Sequence, residues 1–252
     1  MTALYTGYRN EFNKLMKRRK YIVFLCIGAF LCILWAVLGN LISGFIGGRG
    51  GMFINLTPTP MGALPFFLQV MIPFLIFMGV TDLITTEKAE HTMKAMVYRP
   101  IERWKLYTGK LLAVMTYAAI YLACIFVVST ALDQTVGRGQ GLGQISIALA
   151  SYALTLVPLA VLTMFAAFMA IICRGGSLSM FLLIVIYLAF SVVPAVFPVM
   201  SELLFTSYLG WHRLWIGATP GAQRMLHMLT IILGYGVVFF TAGSLIFDKK
   251  EF

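Results

Sequence analysis

Charge is scarce in this sequence of 252 residues: Asp, Glu, Lys and Arg make up 11% of it, where a soluble domain carries about 25%. Carboxylates are the scarcest of these, nine in all, and there are only three histidines. His212 and His227 have no carboxylate at ligand spacing beside them, which argues against a zinc site. The four cysteines, Cys26, Cys32, Cys124 and Cys173, show no C-x-x-C spacing and fall in or beside apolar runs. They are expected to be packing residues, neither metal ligands nor a disulfide framework. No G-x-x-x-x-G-K-[ST] occurs, and no glycine loop joins a strand to a helix, so the chain holds no nucleotide site and no cofactor of its own. The absence of H-E-x-x-H, and of G-x-S-x-G with a partner histidine inside a span, argues against an intramembrane hydrolase. No repeat of the solenoid type, and no inverted repeat of the secondary-carrier type, is evident.

What the sequence has in abundance is apolar surface: 60% of residues are hydrophobic and mean hydropathy is +0.91. Apolar stretches near 21–42, 64–84, 107–132, 145–172, 178–200 and 226–247 are each long enough to cross a bilayer as a helix. The expected fold is an all-α integral membrane protein with six transmembrane helices, and residues 1–252 form one transmembrane domain. Too little chain remains outside the spans for a soluble catalytic domain. The first stretch follows Lys17-Arg18-Arg19-Lys20, but it is longer than a signal-peptide core and no A-x-A site follows, so a permanent anchor is expected.

Net charge is +10. Beside such hydrophobicity it describes flanks that face anionic lipid better than it describes nucleic-acid binding. Fifteen Lys/Arg fall in residues 1–20, the 85–110 connection, Arg174 and the tail, against four (Arg49, Arg138, Arg213, Arg224) on the opposite side. The positive-inside rule then places both termini in the cytoplasm of a cell membrane.

On the outer side, Gly47-Gly48-Arg49-Gly50-Gly51 and Gly137-Arg138-Gly139-Gln140-Gly141 read as flexible links. Asn55-Leu56-Thr57 is an accidental glycosylation match. Segment 201–225 mixes Phe205, Tyr208, Leu209, Trp211, Trp215 and Ile216 with Glu202, His212 and Arg213. That composition suits short helices at the outer interface or re-entering it, as a belt or beside a substrate path. Asp133 and Glu202 are expected to be solvated at the outer face, and Asp82 to cap the membrane edge near Lys88 or Arg103. Pro158, Pro194 and Pro198 are candidate kinks, and Ala166, Ala167 and Ala170 candidate close-packing positions.

Two cytoplasmic elements are amphipathic. In residues 1–20, Leu4, Tyr5, Tyr8, Phe12, Leu15 and Met16 recur at three- and four-residue intervals against Arg9, Asn10, Asn13, Lys14 and Lys17. This predicts an interface helix along the inner leaflet, either a plain membrane-surface anchor or an elbow that also helps to frame a docking surface. Between spans two and three, the 85–106 segment reads as helix, break, helix. Glu90 and Lys94 pair at i,i+4, as do Glu87 and His91, and Pro100 ends the first helix. Met93, Met96 and Val97 fall on one side as an apolar knob among charges, the kind of surface a soluble partner with a matching cleft covers.

In order, Glu87, Thr92, Met96, Pro100, Ile101, Arg103, Gly109 and Lys110 resemble the coupling-helix pattern of ABC-2-type permeases, the membrane subunits of type V ABC exporters. His91 stands where that family usually has glycine, and Glu102 where a small residue is common. The basic N-terminal helix and the aromatic segment before the last span are also similar, so the resemblance covers essentially the whole chain. It implies an ATPase-coupling site at Glu87, Glu90, Thr92, Met93, Met96, Val97, Pro100 and Arg103. It also implies cytoplasmic ATPase subunits that hold the ATP and Mg, a second permease chain (identical or related), and a path lined largely by spans one, two and five. The apolar spans favour an amphipathic cargo, such as an antibiotic, an antimicrobial peptide or a lipid-linked compound, over a hydrated ion. The alternatives are a self-contained channel or ion-coupled carrier, and a sensor that binds cargo without moving it.

Overall fold

A computed structural model describes residues 2–45, 59–86, 102–135, 141–173, 175–197, 203–214 and 222–249. Among them all regular structure is helical, and six helical stretches are long and apolar enough to cross a membrane. Helix α1 (Thr2–Lys17) turns at Arg18 into α2 (Arg19–Phe45), the first span. The second span is a composite of α3 (Pro60–Phe66), a π-helical stretch (Phe67–Met71), α4 (Ile72–Val80) and a second π-helical stretch (Thr81–Thr86). Helix α5 (Arg103–Thr135) is the third span. Helices α6 (Leu142–Leu154) and α7 (Leu156–Ile172), divided at Thr155, make the fourth, and α8 (Gly176–Val196) the fifth. A 3-10 stretch (Phe205–Leu214) precedes α9 (Ala222–Lys249), the sixth. The described part of α1, the start of α2, the end of span two and the start of α5 share one end of the bundle, here the basic end.

Spans two, three and four form the interior, whereas spans one, five and six keep most of their apolar surface outward. Phe30, Phe181 and Val237 are more than 60% exposed. In a bilayer these faces meet lipid tails, so their exposure carries no hydrophobic penalty.

Span-to-span closeness depends on where side chains are missing. The hydroxyl of Tyr121 on α5 presses against Gly28 on α2, and that of Tyr107 presses against Gly243 on α9, in the space a Cβ would fill. Glycine lets each tyrosine ring reach the neighbouring backbone.

Proline shapes the interior in a second way. It brings no N–H to the helix ladder and so vacates the carbonyl four residues earlier. Three vacated carbonyls receive a donor from another element. Tyr187 Oη donates to Gln69 O at 2.8 Å, below Pro73. Trp211 Nε1 donates to Leu154 O at 2.9 Å, below Pro158. Thr206 Oγ1 donates to Phe190 O at 3.1 Å, below Pro194. Of the candidate kinks, Pro158 does mark a break, since it lies just after the α6–α7 division, and Pro194 lies in the last turn of α8. Pro198 lies outside the described residues.

Two of these donors come from the 3-10 stretch, which settles the posture of this part of segment 201–225. Phe205, Tyr208, Leu209, Trp211 and His212 are buried, so the stretch packs down into the helices as a cap instead of lying in the interface. Phe205 is its plug, with ring centroids 5.3 Å from Phe165, 6.1 Å from Phe190, 5.7 Å from Tyr235 and 5.8 Å from Phe239. Aromatic groups that close the cap over spans four, five and six bury large areas in favourable tilted geometry. Trp215, Ile216 and Glu202 lie outside the described residues, as do the glycine-rich connections, Asn55-Leu56-Thr57 and Arg174.

Candidate functional site

The segment expected to couple the chain to a partner, residues 87–101, leaves from the end of span two and returns at the start of span three. Glu87, Glu90, Thr92, Met93, Met96, Val97 and Pro100 lie outside the described residues, together with Lys88, His91, Lys94 and Ile101. Both stems of the segment, however, are described, and α1 with its corner holds each of them.

On the incoming stem, Asp82 belongs to the second π-helical stretch and is 6% exposed. Lys20 Nζ donates to its Oδ1 at 2.7 Å and Tyr21 Oη to its Oδ2 at 2.7 Å, while Arg18 Nη1 stands 3.2 Å from Oδ2. Tyr21 is fixed in turn, since Tyr117 Oη donates to its carbonyl at 2.6 Å. Asp82 therefore pairs with the corner between α1 and α2, which corrects the Arg103 half of its expected surroundings; the Lys88 half lies outside the described residues. Arg103 instead donates from Nη1 to the carbonyl of Asp248 at 2.6 Å, which places a guanidinium on the last turn of α9 where the helix dipole favours a cation. Beside it, Glu102 is held below the usual carboxylate range, first by the hydrogen bond from Lys105 and then by that from Trp104.

On the returning stem, Lys110 is 1% exposed and donates to Glu11 Oε2 on α1 at 3.1 Å, with Glu11 itself 2% exposed. Lys14 stands 3.2 Å from the other oxygen of Glu11. A buried pair of this kind is strongly destabilised when one partner is removed, because the other is left charged in a low-dielectric surrounding. A Cβ on Gly109 would meet Tyr8 N at 3.4 Å and Gly7 C at 3.7 Å, ordinary van der Waals distances, so α1 and α5 run side by side here with room for a methyl group.

This contact adds a protein-facing side to the expected interface helix. Leu15 is fully buried, and Tyr8, Phe12 and Met16 pack against the protein core. Tyr8 Oη donates to Thr116 Oγ1 on α5 at 3.0 Å. The stripe faces span three with Leu15 enclosed and Tyr8, Phe12 and Met16 half-buried, while Tyr5 at its edge stays 61% exposed. Glu11 was missed by the sequence reading, although its place three residues after Tyr8 and four before Leu15 puts a carboxylate on the apolar side, a signal that it needs a buried partner. Asp133 is corrected too: it is 2% exposed, not solvated.

Toward the opposite end a cleft of about 800 Å³ lies between span two, span five and the 3-10 cap. Gln69, Ser191, Thr206 and His212 give polar points on a wall otherwise made of residues such as Leu68, Leu188 and Trp211. Such a lining suits a ligand with one polar and one apolar part. Span one does not line it. Among the described residues no group of three His, Cys, Asp or Glu is placed to hold a metal ion.

Residues 8–186 match the family described as ABC-2 family transporter protein. No curated protein matches the chain. The matched region takes in α1 from Tyr8, both stems and the first four spans, and since it covers more than half of the sequence, the chain belongs to the ABC-2 transporter family, as a membrane permease of ABC type.

Proposed function

We propose that this permease is the passive gate of an ATP-driven exporter and carries an amphipathic compound outward across the cytoplasmic membrane. The carrying observation is the pair of clamped stems. A segment rooted between a buried Asp82 and a buried Lys110 moves the spans with it when a partner moves it. Residues 87–103 would dock in a cleft of a separate cytoplasmic ATPase, with Met93, Met96 and Val97 as the apolar knob and Glu87, Glu90, Thr92, Pro100 and Arg103 around it. Two ATPase subunits, holding ATP and Mg, would drive two permease chains, identical or related, against each other. The positive-inside count supports a cytoplasmic basic end and cytoplasmic termini. An antibiotic, an antimicrobial peptide or a lipid-linked molecule fits the mixed lining of the cleft between spans two and five.

The test is reconstitution with the partner ATPase. Met96→Asp or Val97→Asp puts a charge into the proposed apolar contact and is expected to abolish stimulation of ATP hydrolysis, while membrane insertion is unchanged. Full stimulation by both variants would overturn the docking assignment. Transport by the purified chain alone would establish an ion-coupled carrier or channel in its place.

A further inference from the structure

The ion pairs on the two stems share a feature that the docking reading does not use: both end on the same short piece of chain. Glu11 lies on α1, while Arg18, Lys20 and Tyr21 lie at its corner with α2, so residues 11–21 reach the incoming stem through Asp82 and the returning stem through Lys110. The corner then continues directly into span one. We infer that Glu11 and Asp82 are positioning residues of a clasp that converts displacement of residues 87–101 into movement of span one. The inference rests on the docking reading.

Three observations carry it. First, the Glu11–Lys110 pair is dry, with both side chains at most 2% exposed. Its attraction is therefore screened little by salt, and its geometry resists slow yielding. Second, the Asp82 end is satisfied from three directions, by an ammonium, a guanidinium and a phenol, and the phenol's own backbone is tied to α5 through Tyr117. Such a set changes between discrete arrangements, because partial displacement leaves the buried Asp82 carboxylate short of partners while Arg18 and Lys20, 34% and 46% exposed, still reach water. Third, most of span one's surface faces outward, and its inward contacts above the corner are apolar and aromatic, Phe24 on Phe74 and Tyr121, and Trp35 on Phe66. Such packing allows small sliding, whereas the corner is held by charge, so a shift of the corner carries the span as a rigid element.

The experiment uses the permease assembled with its ATPase in lipid vesicles. Native cysteines are replaced by alanine, and spin labels are placed at Leu38 and Leu226, exposed positions on spans one and six. Two quantities are read: ATPase stimulation, and the change in label distance between nucleotide-free and ATP–vanadate states. The unmodified pair is expected to shift. Glu11→Gln and Asp82→Asn are each expected to keep stimulation within about twofold yet reduce the shifted population about tenfold, the effect size residues of such networks carry. The charge-exchanged variant, Glu11→Lys with Lys110→Glu and with Lys14→Gln so that the new lysine meets no like charge, is expected to restore the shift, which a loss through misfolding would not allow. Wild-type shifts in both single variants, no shift in the unmodified protein, or failure of the exchange to restore it would overturn the clasp. If the unmodified chain does not stimulate its ATPase at all, the docking reading itself falls, and the clasp with it.

Discussion

Tyr187→Phe removes one oxygen atom and nothing else, which makes it a sharp probe of the proline-vacated carbonyls. In the native protein the phenol donates to Gln69 O at 2.8 Å, where Pro73 has no N–H to offer. Hydrogen bonds between membrane helices contribute about 0.6 kcal/mol on average and up to about 1.7. Here Pro73 has no N–H to replace the lost donor, but Gln69 is exposed on the cleft wall and the bond is only part-buried, so water can partly satisfy the carbonyl. A loss of about 0.5–1.5 kcal/mol is therefore expected. The matched control is Tyr121→Phe: its hydroxyl is buried with no hydrogen-bond partner among the described residues. Removing that oxygen deletes a desolvated group without a bond, so the same chemical change is expected to be neutral or to stabilise by up to about 1 kcal/mol. A third arm closes the cycle. Pro73→Ala returns an N–H to the ladder, and in that background Tyr187→Phe is expected to cost under about 0.5 kcal/mol. Reversible unfolding in mixed micelles measures all four. Equal costs for the two tyrosines, or a Tyr187→Phe cost unchanged in the Pro73→Ala background, would refute the account.

Two further outcomes follow from close approaches and from the last turn of span six. Gly28→Ala is expected to destabilise by about 1–3 kcal/mol, because its Cβ meets the Tyr121 ring. Gly234→Ala, with nothing within 4 Å, is expected to stabilise by up to about 1 kcal/mol through lost unfolded-state freedom. Equal melting temperatures would count against the packing role of Gly28. Arg103→Glu replaces the guanidinium on the Asp248 carbonyl with a like-signed neighbour for the helix end. Amide exchange over residues 245–249 is expected to rise. Assembly with the ATPase is expected to weaken more at low salt than at high salt if Arg103 also meets an acidic patch. Unaltered protection would argue against the cap, and salt-independent assembly against the patch.

Local pattern was enough for the six spans, because hydropathy over about 19 residues reflects a requirement that holds anywhere in a bilayer. The α1 stripe was equally legible as a helix, but not its address. A face of Tyr8, Phe12, Leu15 and Met16 is apolar enough for lipid or for protein, and it is Glu11, a carboxylate that needs a buried partner, that decides for protein. Asp82 shows a different limit: its partners lie some sixty residues upstream, and nothing in a linear window links them. Asp133 was assigned to water on the assumption that a carboxylate near a span's end is solvated. For the cap at 205–214 the aromatic content is the same for an interfacial belt and for a re-entrant plug; the difference lies in which helix carbonyls stand open beneath it.

Those carbonyls have a consequence for how this architecture tolerates change. Gln69, Leu154 and Phe190 take their bonds through main-chain oxygens, so the recipients impose no demand on side-chain identity. The demand falls on two remote positions at a time, an imino acid in one element and a donor in another. Relatives keeping this scaffold would exchange the recipients freely, while positions 73 and 187, 158 and 211, and 194 and 206 would be kept or lost together.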